Sequence, residues 1–269
     1  MRMNSFRPML LRFAVAMCGF ALIPVSSSAE SAPLSASELA SRLSVLQQDG
    51  TSYVRLRMEI NGVAKEILQI QIKQRRAKGT SEVVYQVLFP KERKGESVLL
   101  RQIGDRPASG FVFTSPNTLR PIGDLKEPLF GSALSYADIV ENFFAWDQQA
   151  ILGAEDVDGV KCQILESKPG KGGHSIYGSV RSWIDPQRLV PLRIEKYSSS
   201  GQLLRRIDTT RVVADGENHV PANLSVRGPS AEGLTQINGS QIKHDVKYSD
   251  AEFTADGLKE LTAPRGSPD

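Results

Sequence analysis

The sequence predicts a mainly β protein with a few helices, of the α+β class, built on one large antiparallel sheet. Three observations predict it: residue-by-residue alternation of apolar and polar side chains over long stretches, turn dipeptides between those stretches, and only two segments with helical spacing.

The chain opens with Arg2, Arg7 and Arg12, an apolar run from Phe13 to Val25, and small residues at Ser27, Ser28 and Ala29. This is the pattern of a secretory signal peptide, with cleavage expected after Ala29. The apolar run is too short to span a bilayer comfortably. Residues 30–262 are expected to form a single domain of about 230 residues, long enough to bury a sizeable core. Residues 263–269 read as a disordered tail. Removing the leader takes three of the 33 basic residues and none of the 30 acidic ones, so the exported chain carries no net charge. Net charge therefore gives no attraction to nucleic acid. The run Lys73 to Lys78 is expected to be a solvated hairpin end rather than a phosphate-binding patch. Cys162 alone follows the leader, so no intrachain disulfide forms, and its apolar neighbours predict a buried, inert thiol.

The first folded element is a helix. Ser35 and Glu38 form a capping box, Leu39, Leu43 and Leu46 recur at helical spacing, and Asp49-Gly50 ends it. Alternation then takes over. Val54, Leu56, Met58 and Ile60 share one face of a strand, Asn61-Gly62 makes a hairpin turn, and Leu68, Ile70 and Ile72 alternate on the return. Further strands are expected near 83–89, 98–103 and 110–114. Between Pro116 and Pro128 prolines and glycines accumulate and predict a long irregular connection. It leads to a second capping box, Ser135 with Asp138, and an aromatic helical segment carrying Tyr136, Phe143, Phe144 and Trp146. As core, this segment lies under the sheet; as a lid, it closes a cavity. Strands resume at 150–153, 160–167, 179–184, 190–197, 203–213, 219–226 and 234–248. Residues 253–261 are expected to dock as a short helix.

The residues that carry chemistry are sparse. Three histidines, His174, His219 and His244, lie far apart in the sequence and outside any nucleophile motif. No close pair of His, Cys or carboxylates has metal-ligand spacing. Gly170, Gly172 and Gly173 lie between two strands rather than between a strand and a helix, so they make no phosphate loop. The sequence therefore predicts a protein that is not an enzyme and holds no metal or cofactor.

Three stretches together resemble the outer-membrane lipoprotein-sorting (LolA-like) family, in its uncharacterised branch. They are FGSALSYADIVENFFAWD at 130–147, VDGVKCQILES at 157–167 and RSWIDPQRLVPLRIEKYSSSGQLL at 181–204. VYQVLFPKERKGESVLLR at 84–101 is similar to that family's apolar strand and Phe-Pro corner. The resemblance implies a strongly curved antiparallel sheet, an incomplete barrel, covered by helices acting as a lid. It implies a periplasmic carrier or chaperone that takes acyl chains of a lipoprotein or lipid and passes them towards the outer membrane. An inner-membrane transporter or an outer-membrane receptor would be its partner. The expected cavity wall is Leu56, Met58, Leu68, Ile70, Val87, Phe89, Leu100, Phe111, Phe113, Leu192 and Ile194, with Tyr136, Phe143, Phe144 and Trp146 in the lid. The family's gate uses an arginine bonded to the lid backbone, which the sequence assigns to no position. A second reading stays open: a non-enzymatic accessory protein that binds a membrane transporter or another envelope protein, with a filled barrel and an exposed apolar patch.

Overall fold

The computed structural model describes residues 34–48, 50–62, 64–77, 79–104, 106–228 and 233–263. The leader and most of the expected tail lie outside the described residues. The first helix, α1 (Ala36–Gln48), starts where the capping box places it, with the Glu38 amide donating to Ser35 Oγ at 3.2 Å. Leu39, Ala40 and Leu43 form its buried face.

The strands are β1 (Gly50–Asn61), β2 (Lys65–Ala77), β3 (Thr80–Phe89), β4 (Ser97–Ile103), β5 (Ser109–Thr114) and β6 (Thr118–Pro121). After the second helical element, α2 (Tyr136–Val140), come β7 (Gln148–Val157), β8 (Val160–Lys168), β9 (Ser179–Asp185) and β10 (Val190–Tyr197). The last three are β11 (Leu203–Asp215), β12 (Asn218–Arg227) and β13 (Leu234–His244). All thirteen described strands join one sheet in the order β6-β5-β4-β3-β2-β1-β13-β12-β11-β10-β9-β8-β7, so β6 and β7 are free edges and the barrel is not closed. Every pair is antiparallel, and Asn61 to Lys65 closes the predicted first hairpin.

Curvature follows from one short element. α2 packs on β3 and β4 and also bonds to β10 and β11 through Asp138. A flat sheet would separate β4 from β10 by about 34 Å, at ~4.8 Å for each strand step. A helix of five residues is only about 8 Å long. The sheet must therefore curl until its two halves meet around α2.

The concave face is not covered by helices as expected. Only α1 and α2 are α-helical among the described residues, and most of the cover is the irregular segment 122–146, including the 3-10 turns Leu129–Gly131 and Phe143–Ala145. Pro121, Gly123, Pro128 and Gly131 deprive its first half of helix-forming backbone. After Val140 the backbone of Glu141 is extended, which ends α2.

The convex face of β1–β4 is also covered, which its polar alternation conceals. The segment after β13 folds back through two 3-10 turns and buries Phe253 and Leu258 against Val84, Leu99 and Phe113. Beneath it a chain of side-chain hydrogen bonds crosses four strands: Tyr53 Oη donates to Gln71 at 3.0 Å, Gln71 to Gln86 at 2.9 Å, and Gln86 to Ser97 at 3.2 Å. Gln71 and Gln86 also donate to the backbone carbonyls of Thr262 and Glu260. Lys73, expected at a solvated hairpin end, is buried and bonds Glu252 at 3.0 Å.

Leu68 sits at the centre of the concave core, whereas Phe89 is half exposed where β3 ends at Pro90. Leu68→Ala should cost about 2–5 kcal/mol of unfolding free energy, and Phe89→Ala less than about 0.5 kcal/mol. Urea denaturation of the two variants measures the contrast.

Candidate functional site

Alternation along β1–β4 places Met58, Leu68, Ile70, Val87 and Leu100 on the concave side, and all five are fully buried. Leu56 and Ile194 pack partly buried against the same cluster. What covers them is the chain itself: Leu129, Phe130, Leu134, Tyr136 and Val140 of the irregular segment occupy the hollow of the sheet. That segment is a plug.

Four of the expected wall residues lie elsewhere. Phe111 and Phe113 face the convex side, beneath Phe253 and Leu258, and Val112 between them faces the plug. Both faces of β5 are apolar, so the sequence does not say which one turns inward. Leu192 packs outward with Cys162, Trp183 and Val190. The β9–β10 register shifts between Pro191 and Arg193, so Leu192 and Ile194 do not share a face. Phe89 is exposed. Of the four lid residues, Tyr136 belongs to the plug core, while Phe143 and Phe144 pack with Leu39 and Leu43 of α1 and with Leu165, Val180 and Ile184. Their rings lie 4.4 Å apart, and Phe143 meets Trp146 edge-on at 6.2 Å.

The plug is fastened at several points. Asp138, whose role as a cap is visible in the sequence, is the strongest. Its carboxylate is wholly buried and meets Lys196 Nζ at 2.8 Å and Arg205 Nε at 3.0 Å. It also accepts hydrogen bonds from Tyr177 Oη at 2.7 Å, Ser135 Oγ at 2.8 Å and the Ser135 amide at 2.7 Å. Burial by itself would push the carboxyl up, but the two cations and these hydrogen bonds outweigh it and hold its pKa at about 2. Lys196 is itself buried, with its ammonium over the rings of Tyr177 (4.9 Å) and Phe143 (5.4 Å).

At the other end, Arg93 donates to the carbonyl of Phe130 at 3.2 Å while held by Glu66 at 2.8 Å and Glu96 at 2.6 Å. This is an arginine bonded to the backbone of the covering segment. Phe130 has a left-handed backbone, φ 52°, which costs an L-residue roughly 1–2 kcal/mol. Between the two fastenings, the Ala133 amide donates to Thr235 Oγ1 of β13 at 2.8 Å.

Beyond α2, Glu141 accepts a hydrogen bond from Ser175 at 2.7 Å. Burial raises its carboxyl to about 7; the Ser175 bond and Lys196 oppose that rise, and Asp138 adds to it. Here the plug borders an open cleft of about 470 Å3. One wall is formed by the ends of β2–β4, the other by the glycine-rich loop after β8, with Val140, Ala145 and Trp146 between them.

Cys162 is fully buried, and burial pushes its thiol up to about 11. Among the described residues no group of three or more His, Cys, Asp or Glu is placed to hold a metal, and no helix is long and apolar enough to cross a membrane.

An open, curled antiparallel sheet whose hollow is covered by its own connecting segment defines the class. A family model described as an uncharacterized protein matches residues 79–260. The chain is similar in fold to a DUF1329 family protein from Desulfovibrio piger, with a TM-score of 0.76 and 23% identity over 83% of this chain and 97% of that one. It is similar to an outer-membrane lipoprotein-sorting protein domain from Vibrio parahaemolyticus, with a TM-score of 0.75 and 17% identity over 84% and 98%. It is also similar to a LolA superfamily protein from Nitrosomonas europaea, with a TM-score of 0.65 and 19% identity over 82% and 98%. Comparison with curated proteins gave no match. The chain belongs to the family of that model, whose members are described as uncharacterized, and its fold is the one seen in the LolA superfamily and lipoprotein-sorting structures.

Two pH effects follow. Asp138 has a depressed pKa in the fold, so its stabilisation is full above about pH 4 and is lost as pH falls through about 2. Asp138→Asn leaves Lys196 buried without its counter-charge and should cost about 3–5 kcal/mol at neutral pH, read by chemical denaturation. Glu141 has a raised pKa, so its contribution is full below the ordinary glutamate value of 4.5 and is lost as pH rises through about 7. Glu141→Gln should flatten the stability profile between those limits, and a slope unchanged from wild type would refute that role.

Proposed function

We propose that the protein is a non-enzymatic periplasmic carrier or chaperone that binds acyl chains of a lipoprotein or lipid on the concave face and passes them towards the outer membrane. One observation carries the reading. The apolar hollow is filled by an irregular connecting segment fastened through polar contacts at Arg93, Thr235 and Asp138, which is the construction of a removable cover. The leader expected from the sequence supplies the route to the periplasm.

The energies allow exchange. Withdrawing Leu129, Phe130, Leu134, Tyr136 and Val140 from the hollow gives up about 10 kcal/mol, at roughly 2 kcal/mol for each side chain. A palmitoyl chain entering in their place gains about 11 kcal/mol, at ~0.8 kcal/mol per methylene. Plug and chain are near-equal competitors for one surface, so a small bias at the fastenings decides which occupies it.

A second reading rests on a different observation. Val45 and Leu46 on α1 and Ile151 and Leu152 on β7 are exposed, and α1 packs along β7. Together with the filled hollow, this apolar surface supports an accessory protein that binds a transporter or another envelope protein.

Native mass spectrometry of the protein purified from the periplasm of its own host, followed by lipid extraction, separates the two. The carrier predicts a stoichiometric lipid or acylated peptide, and added fatty acid bound more tightly by Asp138→Asn than by wild type. An apo mass with no uptake by either form transfers the assignment to the accessory reading.

A further inference from the structure

The cleft beside the plug lies on the open side of the curled sheet. Its walls come from opposite halves: the ends of β2–β4 on one side and the loop 169–174 on the other. Its floor is continuous with the covered hollow, because Val140 belongs to the concave core and Trp146 packs on the α1 cluster. A chain that replaced the plug would have its end here.

The chemistry of this opening is that of a head-group site. Val140, Ala145 and Trp146 give it an apolar floor, and Arg76, Arg106, Lys171 and His174 stand around its rim. Among the described residues neither Arg106 nor Lys171 forms an ion pair, and both are exposed. Two acidic residues also line the cleft. Glu141 is engaged by Ser175, and Asp147 lies against the backbone of Gly170, where an added Cβ would meet its carboxylate oxygen at 1.9 Å. Among the described residues, Arg106 and Lys171 thus bring unpaired positive charge to a cleft whose two carboxylates are engaged by the protein itself.

We infer that this cleft is the entry site for the cargo and selects amphiphiles whose head carries a carboxylate or a phosphate. The inference rests on the carrier reading and adds the head-group chemistry to it. The apolar floor takes the first methylenes, and Arg106 and Lys171 meet the anion at the rim. Attraction at such an exposed rim is screened by salt, so the preference weakens as ionic strength rises.

The test uses three ligands with one dodecyl chain and different heads: dodecyl phosphate, monododecanoyl glycerol and dodecyltrimethylammonium. Binding to the exported chain is followed by displacement of an apolar dye. Wild type should bind the phosphate most tightly and the ammonium least. The doubly substituted Arg106→Glu, Lys171→Glu protein should lose roughly tenfold in affinity for dodecyl phosphate, two rim charges having been reversed, with no change for the glycerol ester. Both positions are exposed, so the variant is expected to fold, which its unfolding midpoint checks.

Equal affinity for the three heads, or an equal loss for the neutral ester, would overturn the head-group assignment and leave the carrier intact. Binding of inorganic phosphate alone that the double variant abolishes would show a free-anion site and overturn it too. Failure of all three ligands to bind would sink the carrier reading and this inference together.

Discussion

The arrangement depends on burying one carboxylate. Asp138 closes the capping box that starts α2, and the same carboxylate meets Lys196 of β10 and Arg205 of β11. Its helix lies against β3 and β4, so a single residue joins the two halves of a sheet whose edges never meet. An open sheet of thirteen strands has no closing ladder of hydrogen bonds to fix its curvature; here the plug and its ionic anchor do that. Such a group is also a sensitive place. Buried charges are costly unless every partner is present, so the anchor holds firmly when complete and gives way when any member is displaced.

The two faces of the sheet are covered by different means. The concave side receives an apolar plug from the middle of the chain, and the convex side of β1–β4 receives the C-terminal segment over a polar chain of Tyr53, Gln71, Gln86 and Ser97. The polar side fixes register, because a slip of one residue would break several buried hydrogen bonds at once. The apolar plug is less demanding, since dispersion and burial accept any occupant of similar shape. A hollow with a specified outside and a tolerant inside suits the exchange of cargo proposed above. Arg93, bonded to the carbonyl of a left-handed Phe130, holds the first half of the plug in a conformation it would leave on release.

Much of the candidate site was legible in local pattern. Alternation on β1–β4 put Met58, Leu68, Ile70, Val87 and Leu100 on one face, because strand periodicity is a property of the backbone. It failed at β5 and β10 for two separate reasons. In β5 both faces are apolar, so periodicity carries no sign; in β10 a register shift at Leu192 interrupts it. Arg93, Lys196 and Arg205 carry no local signal of their role, since each lies far along the chain from the plug residue it fastens. Lys73, Gln71 and Gln86 had every local mark of solvent-facing residues, and only the returning C-terminal segment buries them.

The sequence by itself determined most of the strands, the starts of both helices, the first hairpin and the family resemblance, because each rests on residues near one another in the chain; it missed β6, which lies in the stretch that prolines and glycines mark as irregular. Tertiary structure alone decided that the hollow is filled, by which segment, and which cations fasten it. Those outcomes depend on contacts such as Asp138 with Arg205, 67 residues apart. Local propensity ends at the strand, and the competition for a shared apolar surface is settled only when all its contenders are folded together.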